Sequence, residues 1–226
     1  MRSRAVVQLV SLVISVILVT WIITNNTLNV QKTARDLWGM DYSEPEASAT
    51  QRETIKCNLE RDCEPGAFAV RLKSGAANVV GPTICFDGQK LMSPIRDNVG
   101  AGLNIVVVDG NNGSVDDVSF LNSKDGRSAD ILAHLTKIKL GRIVLLASFN
   151  DVTPKMTDEI MDVLESMGST LIKTLKSKDN WVFAGRTGAN RKSQFEKISV
   201  NDPATNPYGD WPEVVEISGC VPKNSL

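Results

Sequence analysis

The chain has 226 residues, 42% of them hydrophobic and 23% charged, and its 25 basic and 26 acidic side chains leave a net charge of −1. The two signs are interspersed, so no continuous positive field faces nucleic acid, which is excluded as an expected partner. The composition is that of a globular chain of ordinary domain size.

Twenty uncharged residues, Ala5 to Thr24, follow Arg2 and Arg4. As a helix rising about 1.5 Å per residue they just reach across a ~30 Å hydrocarbon layer. The basic flank stays in the cytoplasm, which sends the remainder of the chain to the lumen or beyond. The length of the run and the absence of an Ala-x-Ala site after it favour an uncleaved anchor. The polar breaks at Gln8, Ser11 and Ser15 and the marginal length favour a signal peptide. Residues 1–24 are therefore read as a signal peptide or signal anchor. Residues 25–55, rich in Ser, Thr, Ala and Glu, form a flexible stalk, and residues 56–223 form the compact domain. Membrane contact is expected only if the first segment is uncleaved. Asn112-Gly113-Ser114 is an N-glycosylation acceptor in a surface turn; Asn25-Asn26-Thr27 has the same form but abuts the apolar run.

Cys57, Cys63, Cys85 and Cys220 are an even set beyond a targeting segment, which indicates disulfides with three pairings open. A four-thiolate zinc site wants close pairs of ligands; here Cys57 and Cys63 are six apart and the other two isolated. No metal and no cofactor is expected.

Within the domain, Ala67–Lys73 reads as a part-buried strand, and Ser74-Gly75-Ala76-Ala77-Asn78 as a turn. Val79-Val80 and Ile84-Cys85-Phe86 are short strand-like pieces, and Asp87-Gly88 predicts a hairpin into Lys90-Leu91-Met92. Gly102–Asp109 is a near-continuous Ile/Val strand buried on both faces. Asn112-Gly113 turns it into Ser114–Phe120, where Val115 and Val118 break the alternation and mark a bulge. Ser128 opens a helix with Ile131, Leu135 and Ile138 on one face, stopped by Gly141, and Arg142–Phe149 is another central strand. Thr153-Pro154 predicts the start of a second helix, with Met156, Ile160, Val163, Leu164 and Met167 as its apolar stripe and Gly168 as its end. Trp181–Gly185 is a short buried strand, and Val214–Ile217 an edge pairing. Helices alternating with strands joined by short turns predict an α/β sandwich with mixed or antiparallel sheets.

Catalytic constellations are lacking. The one histidine, His134, lies on the rim of a helix stripe, and neither HExxH, Gly-x-Ser-x-Gly nor a Walker loop occurs. The run from Asp109 is unlike a calcium loop, with Ser114 where glycine is needed and Phe120 where a bidentate Glu is needed. Asp116/Asp117 and Asp158/Glu159 are carboxylate pairs of the kind solvated faces carry routinely. The stronger pattern is Asp151 directly after a central strand, with Lys178, Asp179 and Asn180 directly before Trp181. Hydrogen-bonding groups beside an indole at strand ends suit the hydroxyls and C–H faces of a sugar.

Ser74–Pro82 (SGAANVVGP), Asp97–Gly100, Asp179–Phe183 (DNWVF), Phe195-Glu196, Trp211-Pro212-Glu213 and Gly219-Cys220 together resemble the interleukin-like EMT inducer group, the family with sequence similarity 3. The likeness covers roughly Lys56 to Lys223. It implies a compact, disulfide-stapled β-β-α sandwich, a lectin-like GG-type domain, with Cys57 paired to Cys85 and Cys63 to Cys220. It also implies a secreted, cytokine-like, non-enzymatic ligand acting on a cell-surface receptor, with a Golgi or membrane-anchored luminal glycan-binding protein as the alternative. In the related stem domain of a protein O-mannose glycosyltransferase, sugar-contacting groups fall near Asp151 and Lys178; the second is arginine there. Asp151, Lys178, Asp179 and Trp181 are thus the expected glycan-binding residues. Gly100-Ala101-Gly102 lacks the family's usual arginine, and Ala184 replaces a cysteine that one member uses for covalent dimerisation.

Overall fold

The structure, a computed structural model, describes residues 13–21 and 55–223. The expectations for the ends of the N-terminal apolar run, for the Asn25 acceptor and for the stalk up to residue 54 lie outside the described residues. The chain divides into two units, Met1–Arg52 and Glu53–Leu226. In the first, residues 13–21 are helical (α1) with every side chain exposed. Among the described residues no helix is long and apolar enough to cross a membrane.

The described residues of the second unit form nine strands and two α-helices. A four-stranded sheet has the order β3(Gln89–Met92)-β2(Thr83–Phe86)-β1(Ala67–Lys73)-β9(Glu216–Pro222). A five-stranded sheet has the order β5(Val115–Asn122)-β4(Gly102–Asp109)-β6(Arg142–Phe149)-β7(Asn180–Arg186)-β8(Phe195–Ser199). Every neighbouring pair is antiparallel. The helices α2(Ser128–Thr136) and α3(Asp158–Ser166) cover the outer face of the five-stranded sheet.

The alternation of side chains along the central strands makes two cores from one sheet. Leu103, Ile105 and Val107 of β4, Val144 and Leu146 of β6, and Trp181 and Phe183 of β7 pack toward Ile131, Leu135, Ile160 and Leu164 of the helices. Their neighbours Val106, Val108, Ile143, Leu145, Ala147, Val182 and Ala184 pack against Phe68, Val70, Leu72, Ile84 and Phe86 of the other sheet. Burial on both sides explains why β4 and β6 read as unbroken apolar runs. At about 1.5–3 kcal/mol per buried side chain, these residues dominate the favourable side of folding. The result is a β-β-α sandwich.

Several elements depart from the sequence expectation. Val79 and Val80 form no strand; Val80 meets only Ala76 in an isolated bridge, and both side chains are exposed. The helix opened by Ser128 ends at Thr136, before Gly141, whose φ of 77° instead serves the turn into β6. Thr153-Pro154 starts a single 3-10 turn, Thr153–Lys155, which breaks at Met156 with ψ of 98°. The α-helix begins only after Thr157, so Met156 joins the core from a loop. The bulge expected between Val115 and Val118 is present in β5, where Val107 pairs with Asp117 and Val108 with Val115, leaving Asp116 extra.

Gly102 shows why its position admits no side chain: φ is +122°, and a Cβ would lie 2.1 Å from the Leu121 carbonyl oxygen. Buried Asn104 clamps the loop just before it. Its Nδ2 donates to the Gly100 carbonyl at 2.8 Å, and its Oδ1 accepts from the Gly100 N–H at 3.0 Å.

Candidate functional site

The disulfides are Cys57–Cys85 and Cys63–Cys220, the pairing that the family resemblance implies. The first ties the turn before β1 to β2, and the second joins the segment before β1 to β9, its antiparallel neighbour.

Asp151 follows β6 directly. Its Oδ1 accepts from Thr153 N–H at 3.0 Å and from Thr153 Oγ1 at 2.7 Å, and its Oδ2 accepts from Ser177 Oγ at 2.6 Å. The backbone N–H of Lys178 also faces the carboxylate and favours its charged form. Partial burial favours the neutral acid, but the hydrogen bonds from Ser177, Thr153 and Lys178 outweigh it and hold the pKa below the ordinary carboxylate value. Two oxygens offer about four acceptor positions, and hydrogen bonds from Thr153 N–H, Thr153 Oγ1 and Ser177 Oγ fill three of them. Asp151 is thus a joint between the β6–α3 connection and the loop that leads into β7 rather than an open sugar acceptor. It also accounts for the displaced helix start: the Thr153 hydroxyl donates to Asp151, whereas a capping threonine would offer its oxygen to the N–H groups of the first turn.

On either side of this carboxylate the backbone is left-handed, at Asn150 (φ 63°) and at Lys178 (φ 66°). For lysine that conformation is unfavourable and is held by its surroundings, a feature that concentrates at functional sites. The Lys178 Nζ lies 3.4 Å from Asp210 Oδ2 and 5.4 Å from the centre of the Trp211 ring. Asp210 and Trp211 belong to a tight turn between β8 and β9, closed by Tyr208 N–H to the Trp211 carbonyl at 3.3 Å, with Gly209 at φ 64°.

Asp151 and Lys178 therefore come together, whereas Asp179 and Trp181 do not join them at the surface. Asp179 is buried and holds two loops, accepting from Lys176 N–H at 2.8 Å and from Asn201 N–H at 2.7 Å. Trp181 is fully enclosed, stacked on Phe183 with ring centres 5.5 Å apart, and its Nε1 donates to Glu196 Oε1 at 3.0 Å. An indole with no open face cannot serve as a sugar platform; the expectation for Trp181 is corrected to a core role. The aromatic beside Lys178 is Trp211. Its signal was present in Pro207-Tyr208-Gly209-Asp210-Trp211-Pro212, two aromatics confined between prolines around a glycine.

Two further polar centres escaped the sequence reading. Glu196 of β8 accepts from Ser169 Oγ, from Thr170 N–H and Oγ1, from Leu171 N–H and from Trp181 Nε1. His134 Nε2 lies 3.1 Å from Asp117 Oδ2, in a cleft of about 760 Å³ between α2 and the β4–β5 edge. The nearby Ser119 Oγ donates to Asp117 at 2.8 Å, not to the imidazole, so this serine is not set up as a nucleophile. Among the described residues, no three His, Cys, Asp or Glu side chains form a group able to hold a metal. Asn112 is exposed at the tip of the β4–β5 hairpin, its Oδ1 accepting from Ser114 N–H at 2.8 Å.

Residues 101–189 match the family profile described as "Interleukin-like EMT inducer". Protein FAM3C of Rattus norvegicus is 36% identical over 99% of this chain and 99% of its own length. Protein FAM3D of Mus musculus is 40% identical over 78% of this chain and 79% of its own. Protein FAM3A of Homo sapiens is 36% identical over 100% of this chain and 99% of its own.

Proposed function

The chain belongs to the interleukin-like EMT inducer family, and from that membership we propose a secreted, cytokine-like signalling ligand that works by binding through its lectin-like domain and makes no bonds. The observation that carries the reading is the pair of disulfides in one compact domain, Cys57–Cys85 and Cys63–Cys220, which belongs to an oxidising compartment. The chemistry of the polar centres agrees with it: Asp151 and Glu196 are occupied by structural donors, and His134 has no hydroxyl to activate. The partner is a cell-surface receptor, and the exposed Asn112 carries N-linked glycan. The decisive experiment expresses the full-length chain in mammalian cells and sequences the N-terminus of material from the medium. Cleavage near residues 24–30 is the expected result. Full-length protein retained in membranes overturns secretion and selects the luminal, tethered form.

A second reading, glycan binding, is favoured by one specific arrangement: a lysine held in left-handed conformation over the Trp211 ring at the ends of the central strands. A glycan array with the purified protein tests it, and an array without a single bound structure removes it.

A further inference from the structure

We infer that Lys178 and the turn carrying Tyr208, Asp210 and Trp211 are the recognition element of this domain, and that it selects an acidic saccharide, bearing a carboxylate or a sulfate, over its neutral counterpart; the inference rests on the glycan-binding reading above. Asp151 acts here as a positioning residue. Three of its acceptor positions are taken by Thr153 and Ser177, so its carboxylate is spent mainly on holding these two loops together. What it does instead is anchor Ser177, immediately before Lys178, whose backbone at φ 66° lets the side chain reach the β8–β9 turn.

The Lys178 ammonium has a weak partner. Asp210 Oδ2 is 3.4 Å away, and the Asp210 side chain is 84% exposed, so solvent screens the pair and little holds the carboxylate in place. An incoming acid exchanges one anion for another at Lys178 without loss of charge pairing. A neutral sugar has no such exchange, since its hydroxyls engage neither member of the pair better than the two engage each other. The same turn supplies the apolar contact. Tyr208 and Trp211 face each other as an antiparallel bridge, which places both side chains on one side of the turn, and Tyr208 is 51% exposed. Aromatic rings held in a turn between Pro207 and Pro212 present area with little side-chain entropy to lose.

The test uses the full chain with its disulfides intact and a matched set of probes: lactose, sialyllactose and sulfated lactose, and N-acetylglucosamine with and without a 6-sulfate. At least one acidic probe is expected to bind about tenfold or more tightly than its neutral match, and Lys178→Asn, which tolerates the left-handed backbone, to lose about as much. Lys178→Arg keeps the charge and the binding. Asp210→Asn removes the competing anion and tightens binding several-fold, and Trp211→Ala weakens it. Lys176→Gln, at an exposed lysine outside the turn, leaves binding unchanged. Thermal unfolding of each variant separates lost folding from lost contact. Binding by sialyllactose alone or by the sulfated probes alone identifies the acid. Equal binding of acidic and neutral matches overturns the inference while leaving glycan binding intact, and no binding by any probe removes both. An equal loss in Lys176→Gln means diffuse surface charge and also overturns it.

Discussion

Replacing Glu196 by glutamine tests whether Trp181 is held by its carboxylate. The substitution keeps shape and converts one acceptor oxygen into an NH2 group. If that group takes the place of Oε2, it faces the Thr170 and Leu171 N–H groups, neither of which can turn away. In the Oε1 position it faces the Ser169 hydroxyl, which can rotate to accept, and the Trp181 Nε1, which cannot. The second arrangement costs less, yet it orphans a buried indole N–H at about 1–3 kcal/mol and weakens the remaining bonds by removing their charge. Glu196→Gln should therefore destabilise by about 2–4 kcal/mol, which moves a urea midpoint down by about 1–2 M at an ordinary slope. The cycle with Trp181→Phe isolates the indole bond: in that background the glutamine should cost about 1–3 kcal/mol less. A midpoint for Glu196→Gln within about 0.3 M of the parent, or an equal cost in both backgrounds, refutes the account.

Two other perturbations follow from described contacts. The Cys63–Cys220 bridge spans 157 residues, for which loop entropy gives about 5 kcal/mol. The Cys63→Ala/Cys220→Ala pair should lose most of that in guanidinium unfolding, and a loss under about 2 kcal/mol would mean that β1–β9 pairing already confines the unfolded chain. For Asp151 the folded pKa lies below the unfolded value of about 3.9, so its contribution is present above that pH and is lost as pH falls through the folded value. The stability gap between the parent and Asp151→Asn should be widest at neutral pH and narrow below about pH 4. A gap constant from pH 7 to about pH 2 would show that the carboxylate's charge is irrelevant.

Much of the architecture was readable because apolar content and period agreed. Gly102–Asp109 and Arg142–Phe149 are unbroken apolar runs since both faces are covered, and the structure has β4 and β6 at those residues. Asp87-Gly88 marks its hairpin with two positive φ values, 46° and 89°. Strand β8, Phe195-Glu196-Lys197-Ile198-Ser199, went unread because it is short and largely polar, its stabilisation coming from β7 alongside and from donors that reach Glu196 across the loop after α3. Thr153-Pro154 misled for a physical reason as well: a local helix signal was overridden by the carboxylate two residues earlier.

The site was legible in part. Asp151 and Lys178, 27 positions apart, are neighbours as expected, but through the Ser177 hydroxyl bonded to the Asp151 carboxylate, which no sequence pattern announces. Trp181 sits in an apolar string, Trp-Val-Phe-Ala, and that context already argued for the interior. Trp211 was the better candidate, isolated among turn formers, and its meeting with Lys178 depends on where the β8–β9 connection crosses the strand ends.

The long bridge also changes what a protease can do to this molecule. Every peptide bond between Cys63 and Cys220 belongs to a closed covalent ring. The loop between β7 and β8 offers exposed Arg191 and Lys192 to trypsin-like enzymes. A single cut there would open the ring and release nothing: the product would run as one species until a reductant parted it into two.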